Sequence, residues 1–524
     1  MKMIARRSAL TTTAALLFAP QALSAVEPAD FVFANGRVYT VNPAQPWAGA
    51  VAIRGGRIVH VGDDASAFVG PRTRRIDLKG RMLLPGFTDT HNHTYLRAEN
   101  LFWVTLPGTR TETPTLQQYR AAIDAYKAAN RGLRQLRGVG WNMRFIVQAA
   151  SERGLTPREL LDDLVGLDIP AVIITHGHHE IWANTRAIRN AGVTEATPNP
   201  PGAFIERDAA GAPNGVFREF GAQNLIISKL PEPDFTVEEF KASVLDWQAN
   251  LAPQRGVTAV LTPTHYPSEN YLKALQALSL EGRLTTRFDV CLWADETRGL
   301  SQVPDLIRTR ARYGGPNFKV DSVKIFGTGQ TAQGLGLVWD QDVLNKTVAA
   351  LDKAKFRIFI HDIGPTSTYE AMLDAHAYAI AQNGRRDARH IITHVGDAAS
   401  PTTARFLELG VRADGHPPPK AFFDTKVPTT ISSDYPVGDF SPVAEMARGV
   451  QRGVPLEDLI AAHTLRGAEA VFAETAIGSI EVGKMADLVV LERDLFAVPA
   501  DELAGVKPVM TLFAGKEVFR SAAF

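Results

Sequence analysis

The sequence predicts an α/β chain organised around a TIM (β/α)8 barrel. Three observations carry this. Short β-branched or apolar runs alternate with stretches of Leu, Ala and charged residues at helical spacing. The runs have no helical period and stop at Gly, Asp or Pro. Several end in a residue able to ligate metal, and in a barrel of alternating strands and helices the carboxyl ends of the strands carry the chemistry.

Taken in chain order, the first 25 residues read as a leader. Lys2, Arg6 and Arg7 form a basic start, Ala9–Phe18 an apolar core, and Ala22-Leu23-Ser24-Ala25 small residues suited to cleavage. The apolar core is shorter than the roughly 20 residues a bilayer span needs. A signal peptide and a periplasmic or secreted product are expected, and Arg6-Arg7 is compatible with the twin-arginine route. Asp30 to about Ile76 is strand-rich, with hairpins expected at the Asn35-Gly36 and Gly55-Gly56 turns. Asp487–Leu491 and Val509–Phe519 repeat the style at the other end. Neither half has enough strands to bury its own face. Pairing residues 26–82 with 470–524 in one small β-sandwich domain beside the barrel resolves this.

Met82-Leu83-Leu84 then leads through Pro85-Gly86 to His91 and His93. On an extended backbone, residues i and i+2 share a face, so the two imidazoles grip one cation from one strand end. Val320–Lys324, Phe356–His361, His390–His394 and Pro428–Asp434 follow, each reading as a parallel strand covered on both faces. Between them, 343–355, 368–383 and 399–409 have helical spacing.

With these motifs in view, the chain resembles the amidohydrolase superfamily, in the branch of N-substituted formamide deformylase-like and imidazolonepropionase-like metal-dependent hydrolases. The resemblance rests on LPGFTDTHNH (84–93), VKIF (323–326), HDIG (361–364), THVGD (393–397), SSDYPV (432–437) and IGSIEVGKMADLVVL (477–491), and covers nearly the whole chain after the leader. It implies that Gly256–Leu261 and Thr286–Trp293 are the second and third barrel strands. The barrel then runs over 83–469 with a large insertion after its first strand, at about 101–251, far longer than an ordinary βα connection. We read this insertion as a roof over the site. It holds THGHHEIWAN (175–184), whose ungapped register puts His179 rather than His178 at the branch's usual histidine, and PNGVFRE (213–219). Between His394 and Asp434 the chain departs from the branch: the Gln-Pro element is missing and the stretch is short.

The resemblance also implies the ligands: His91 and His93, with an oxygen from Lys324 and Asp434, for one divalent ion, and His361, His394 and Lys324 for a second. Lysine ligates only with its amine neutral and carboxylated to a bridging carbamate, because an ammonium offers nothing but donors; burial beside cations favours the neutral form. One or two ions are expected, zinc first, with manganese, iron or cobalt as alternatives.

Each residue also has an ordinary reading. Asp434 suits a turn cap before Pro436, Lys324 a plain amine in a one-metal site, His178-His179-Glu180 a solvated loop, and Glu219 a surface pair with Arg218. His176, His265 and His416 stand near expected strand ends without a motif. Trp103, Trp141, Phe145, Trp182, Phe204 and Trp339 fall in the roof or strand-end loops, as pocket walls for an apolar substituent or as core.

The expected function is an exported metal-dependent amidohydrolase that cleaves a C–N bond of amide type, N-acyl or N-formyl, by metal-activated hydroxide. Asp434 is the general base, and His179 helps hold the oxyanion. The substrate is a small molecule. Fifty-six Lys+Arg balance 56 Asp+Glu, which favours neither nucleic acid nor an anionic membrane. The single cysteine, Cys291, excludes an intrachain disulfide and a thiolate metal cluster. Oligomeric state stays open, a homodimer included. Two alternatives remain: a cyclic amide or imidazolone hydrolase or deaminase at the same centre, and a non-catalytic periplasmic binding protein on the same barrel.

Overall fold

Eight parallel strands form the central sheet of the computed structural model, in chain order: β1 Phe87–Asp89, β2 Val257–Pro263, β3 Arg287–Ala294, β4 Phe318–Phe326, β5 Arg357–His361, β6 Ile391–Thr393, β7 Arg412–Gly415 and β8 Thr429–Ile431. Each pairs with its sequence neighbour. The last strand meets the first just past their ends: Asp434 N–H donates to the His91 carbonyl at 2.8 Å and His93 N–H to the Tyr435 carbonyl at 2.8 Å. Residues 26–524 are described, apart from 109–112, 233, 265–268, 332–333, 398–399 and 439. The expected leader and His265 lie outside the described residues. Among those described, no helix is long and apolar enough to cross a membrane.

The period of two along a strand explains why both faces of the barrel are apolar. Val323, Ile325, Ile358 and Ile360 pack outward against the surrounding helices, while Leu261, Cys291, Phe359 and Ile391 cluster on the other face, inside the barrel. A polar layer lies on that inner face, where buried Arg357 donates to Asp289 Oδ2 at 2.6 Å. Lys324 pairs across the strands with Phe359, and His361 lies two residues beyond it, so both emerge at the carboxyl end of the same inner face. Helices Gln341–Lys353, Thr366–Asn383 and Ser400–Leu409 occupy the three stretches read as helical.

The chain ends build two further sheets. Arg57–Gly62, Ala50–Arg54, Phe31–Ala34 and Arg74–Asp77 form one; Lys516–Arg520, Pro508–Phe513, Leu488–Leu491, Met82–Pro85, Arg37–Tyr39 and Trp47–Ala48 form the other. Phe33, Ile53, Leu83, Leu488 and Val490 share one buried cluster. Met82, Leu84, Val489 and Leu491, the alternate residues of the same strands, pack into the main barrel core. Met82–Pro85 belongs to this end sheet, and Gly86 separates it from β1. Asn35-Gly36 is not a hairpin turn: it carries the chain from one sheet to the other, with Asn35 at φ 58°. A side chain at Gly36 would lie 2.4 Å from Leu78 Cβ, so the crossing is too tight for any other residue.

Between β1 and β2 the chain builds a six-stranded sheet of its own, from Val104–Thr105 to Pro213–Arg218. Its separate core includes Tyr119, Leu136, Trp141, Leu161 and Trp182.

Candidate metal centre

Beyond β1 the chain turns through Thr90-His91-Asn92-His93, and two buried carboxylates fix that turn. Asp89 accepts Asn92 Nδ2 at 2.8 Å, Ser433 Oγ at 2.6 Å and Ser433 N–H at 3.0 Å, tying the ends of β1 and β8 together. Asp414, on β7, accepts four hydroxyls: Thr90 at 2.6 Å, and Thr393, Thr430 and Ser432 each at 2.7 Å. His91 and His93 therefore stand on a rigid loop just past the strand, not on the strand itself.

Their protonation follows from these partners. Thr393 gives its proton to Asp414, so its remaining lone pair accepts from His91 Nδ1 at 3.0 Å. His93 Nδ1 donates to the Pro263 carbonyl at 2.8 Å, an atom that can only accept. Both Nε2 atoms are thus left with lone pairs. They face each other at 3.2 Å, and Asp434 Oδ1 lies 3.3 Å from His91 Nε2 and 3.0 Å from His93 Nε2. Burial, above all, holds His91 well below the ordinary histidine value, and the neighbouring Lys324 charge adds to this. Burial likewise lowers His93, opposed by Asp434. Three electron-pair donors converging without a proton to share are shaped for a cation.

Lys324 is fully buried, with Nζ 3.5 Å from His91 Nε2 and 4.7 Å from the centre of the Phe359 ring. Burial brings its amine down to about 7, which fits the neutral form that carboxylation requires. Buried His361 Nε2 has no hydrogen-bond partner among the described residues, and its ring lies 4.6 Å from that of His394. His394 Nε2 is 3.9 Å from Asp434 Oδ2. His394 and Asp434 lie just past β6 and β8 in left-handed backbone, at φ 63° and 52°. Such strain is found where surrounding structure holds a side chain in a working position. Burial would raise the Asp434 carboxyl, but the imidazoles of His93 and His394 that face it outweigh this and hold the group below the ordinary carboxylate range. The donor set is nitrogen and oxygen, which fits zinc or another borderline divalent ion.

These residues line a cavity of about 480 Å³ at the barrel mouth, and the insertion contributes to it. His179, not His178, lines the cavity, with its ring 5.5 Å from that of His361. His178 is buried beneath, 3.3 Å from Glu99 Oε2. His179 Nδ1 bonds Glu219 Oε2 at 2.9 Å, and Glu219 is 4% exposed at φ 60°. Burial lowers the His179 pKa, but the Glu219 carboxylate more than compensates, so the value is raised. Glu219 is therefore no surface partner of Arg218, which bonds Glu206 at 2.6 Å instead. The motif that contained Glu219 was legible; its partner was not.

His416 also lines the cavity, with Nε2 3.0 Å from His394 Nδ1. His176 is exposed and does not line it. The six aromatic residues read as possible walls do not line it either. Trp103 stacks on Phe235 at 4.6 Å, Trp141 and Trp182 lie in the insertion core, and Trp339 donates to the Phe326 carbonyl at 2.8 Å. Phe326, Ile363 and Val437 supply the apolar surface.

The model of the amidohydrolase family matches residues 74–519. The chain belongs to the amidohydrolase family. It is accordingly an enzyme, a metal-dependent hydrolase acting on carbon–nitrogen bonds other than peptide bonds. Among curated relatives of this amidohydrolase, the exoenzymes regulatory protein AepA of Pectobacterium carotovorum subsp. carotovorum is 30% identical over 369 residues, 67% of this chain and 77% of that protein. The N-substituted formamide deformylase of Arthrobacter pascens is 26% identical over 547 residues, covering 93% and 97%. Among solved structures, an uncharacterized metal-dependent hydrolase from Pyrococcus horikoshii OT3 superposes with a TM-score of 0.67 at 20% identity, over 90% of this chain and 99% of that one. That last likeness shows the fold.

Proposed function

We propose that this amidohydrolase is exported and hydrolyses an amide-type C–N bond, N-acyl or N-formyl, in a small molecule whose substituent is apolar. The carrying observation is the convergence of His91 Nε2, His93 Nε2 and Asp434 Oδ1 within 3.3 Å, each imidazole fixed with its lone pair inward. The formamide deformylase relative supports the bond type. Phe326, Ile363 and Val437 support the apolar substituent, and the basic-apolar-small pattern of residues 1–25 supports export.

When bound among His91, His93, Lys324, His361, His394 and Asp434, one or two divalent ions supply a Lewis acid and lower the pKa of coordinated water. Asp434 takes the proton from the attacking water as general base. His179, with its Nδ1 committed to Glu219, offers Nε2–H to the substrate oxygen as negative charge builds there. Asp434 then passes its proton to the departing nitrogen, which is needed because an amide anion is a very poor leaving group.

The experiment is turnover of a panel of N-formyl and N-acyl amides, with cyclic amides alongside, before and after chelation. The reading expects turnover of at least one linear amide that chelation removes and a divalent ion restores. Activity on cyclic amides alone, or none on any of the panel, counts against it.

A further inference from the structure

A pattern runs through the imidazoles at the barrel mouth. Three of them turn one nitrogen inward and rest the other on a fixed partner. For His91 the partner is the Thr393 hydroxyl; for His93 it is the Pro263 carbonyl. For His394 it is another imidazole, that of His416, with His416 Nε2 3.0 Å from His394 Nδ1. His416 follows β7, in the short stretch where the chain departs from its branch.

We infer that His416 is a positioning residue that sets the tautomer and ring angle of His394. The direction of the bond follows from the next link. His416 Nδ1 lies 2.7 Å from the Ser432 carbonyl oxygen, which can only accept. In a neutral His416 ring the proton is therefore on Nδ1 and the lone pair on Nε2. That lone pair accepts from His394 Nδ1–H, which leaves His394 Nε2 bare and toward Asp434 Oδ2 at 3.9 Å. A proton shift the other way would put hydrogen on the inner nitrogen and abolish it as a ligand. Support matters more at His394 than elsewhere, because its backbone is left-handed, at φ 63°, and lies beyond the ladder of β6.

His394, His416 and Asp434 each offer an atom within 4.8 Å of the others, so direct ligation by His416 is the competing arrangement. It differs from the set at His91, His93 and Asp434 in one respect. There, no proton is available to share; between His394 and His416, one is. The pair is satisfied by an ordinary hydrogen bond and does not call for an ion of its own.

The inference rests on the metal-binding reading, and Co²⁺ titration of chelator-treated protein tests the two separately. If wild type takes up no Co²⁺, the metal reading falls and this inference with it. Given uptake, His416→Ala should bind the same number of equivalents, about 10–100-fold more weakly, with a shifted visible ligand-field band. His416→Gln, whose amide oxygen accepts the His394 proton, should restore most of the affinity and the wild-type band. Should the alanine chain not fold, His416→Asn, too short to reach, replaces it. An unchanged band and affinity in the alanine or asparagine chain overturns the inference. So does loss of a whole Co²⁺ equivalent in both the alanine and glutamine chains, which would make His416 a ligand.

Discussion

Asp434 donates its backbone N–H to the carbonyl of His91 at 2.8 Å, so the residue that closes the barrel also brings its carboxylate to the imidazoles of the first strand end. The Asp434 carboxylate therefore cannot move away from the two imidazoles without opening the seam between β8 and β1.

Replacing Asp434 with Asn keeps the shape and removes the proton acceptor. Steady-state rates on whichever amide the panel identifies should fall by about a hundredfold or more, with metal content retained. A near-normal rate would remove Asp434 from the role of base.

Glu219 raises the pKa of His179 against the opposing effect of burial. A raised value keeps the imidazolium present to higher pH, so activity needing it declines only as pH climbs past that value. In Glu219→Gln the support is gone while burial remains. The alkaline limb of kcat/KM should move to lower pH, and the plateau should fall about tenfold to a hundredfold, the worth of one charged hydrogen bond. A pH profile superimposable on wild type would show that the pair is only structural.

Gly329 tests the same pair from the other side. A Cβ there would stand 2.8 Å from Glu219 Cδ and 3.0 Å from Oε2, the oxygen that holds His179. The end of a side chain can yield, so Gly329→Ala should fold with nearly wild-type melting and lose activity as Glu219→Gln does. The double variant should be little worse than either single one, because both break one contact. Additive losses would show that the two residues act separately.

Asp414 reaches His91 through the Thr393 hydroxyl. In Asp414→Asn one acceptor oxygen becomes a donor facing hydroxyls that are themselves donating, and Thr393 loses the acceptor that orients it toward His91. Metal affinity, read by competition with a chelating dye, should drop about 10–100-fold. Unchanged affinity would mean that Thr393 orients His91 unaided.

The barrel was legible because its strands are buried on both faces and the candidate ligands follow strand ends, a pattern linear in the chain. Lys324 and His361 could be placed in this way, since each lies on its strand. Other features were not legible, because they depend on contacts between distant segments. Asp414 looks like any acidic residue before a glycine until four hydroxyls from three strand ends meet on it. Glu219 resembled half of an Arg–Glu surface pair because its real partner is 40 residues away. The aromatics of the roof were ambiguous for a general reason: size and apolarity suit a core and a pocket equally, and the insertion proved to have a core of its own. Asn35-Gly36 carries the local signature of a hairpin, yet the strands on its two sides pair in different sheets, Phe31–Ala34 with Ala50–Arg54 and Arg37–Tyr39 with Met82–Pro85.

The most direct test is elemental analysis of folded, purified protein alongside a His91→Ala/His93→Ala double variant. A metal-dependent hydrolase built on these residues should carry one or two equivalents of a divalent transition ion in wild type, and less ion with no amide turnover in the double variant. Folded wild-type protein that hydrolyses an amide with no bound ion, or that takes up none when zinc is supplied, would contradict this.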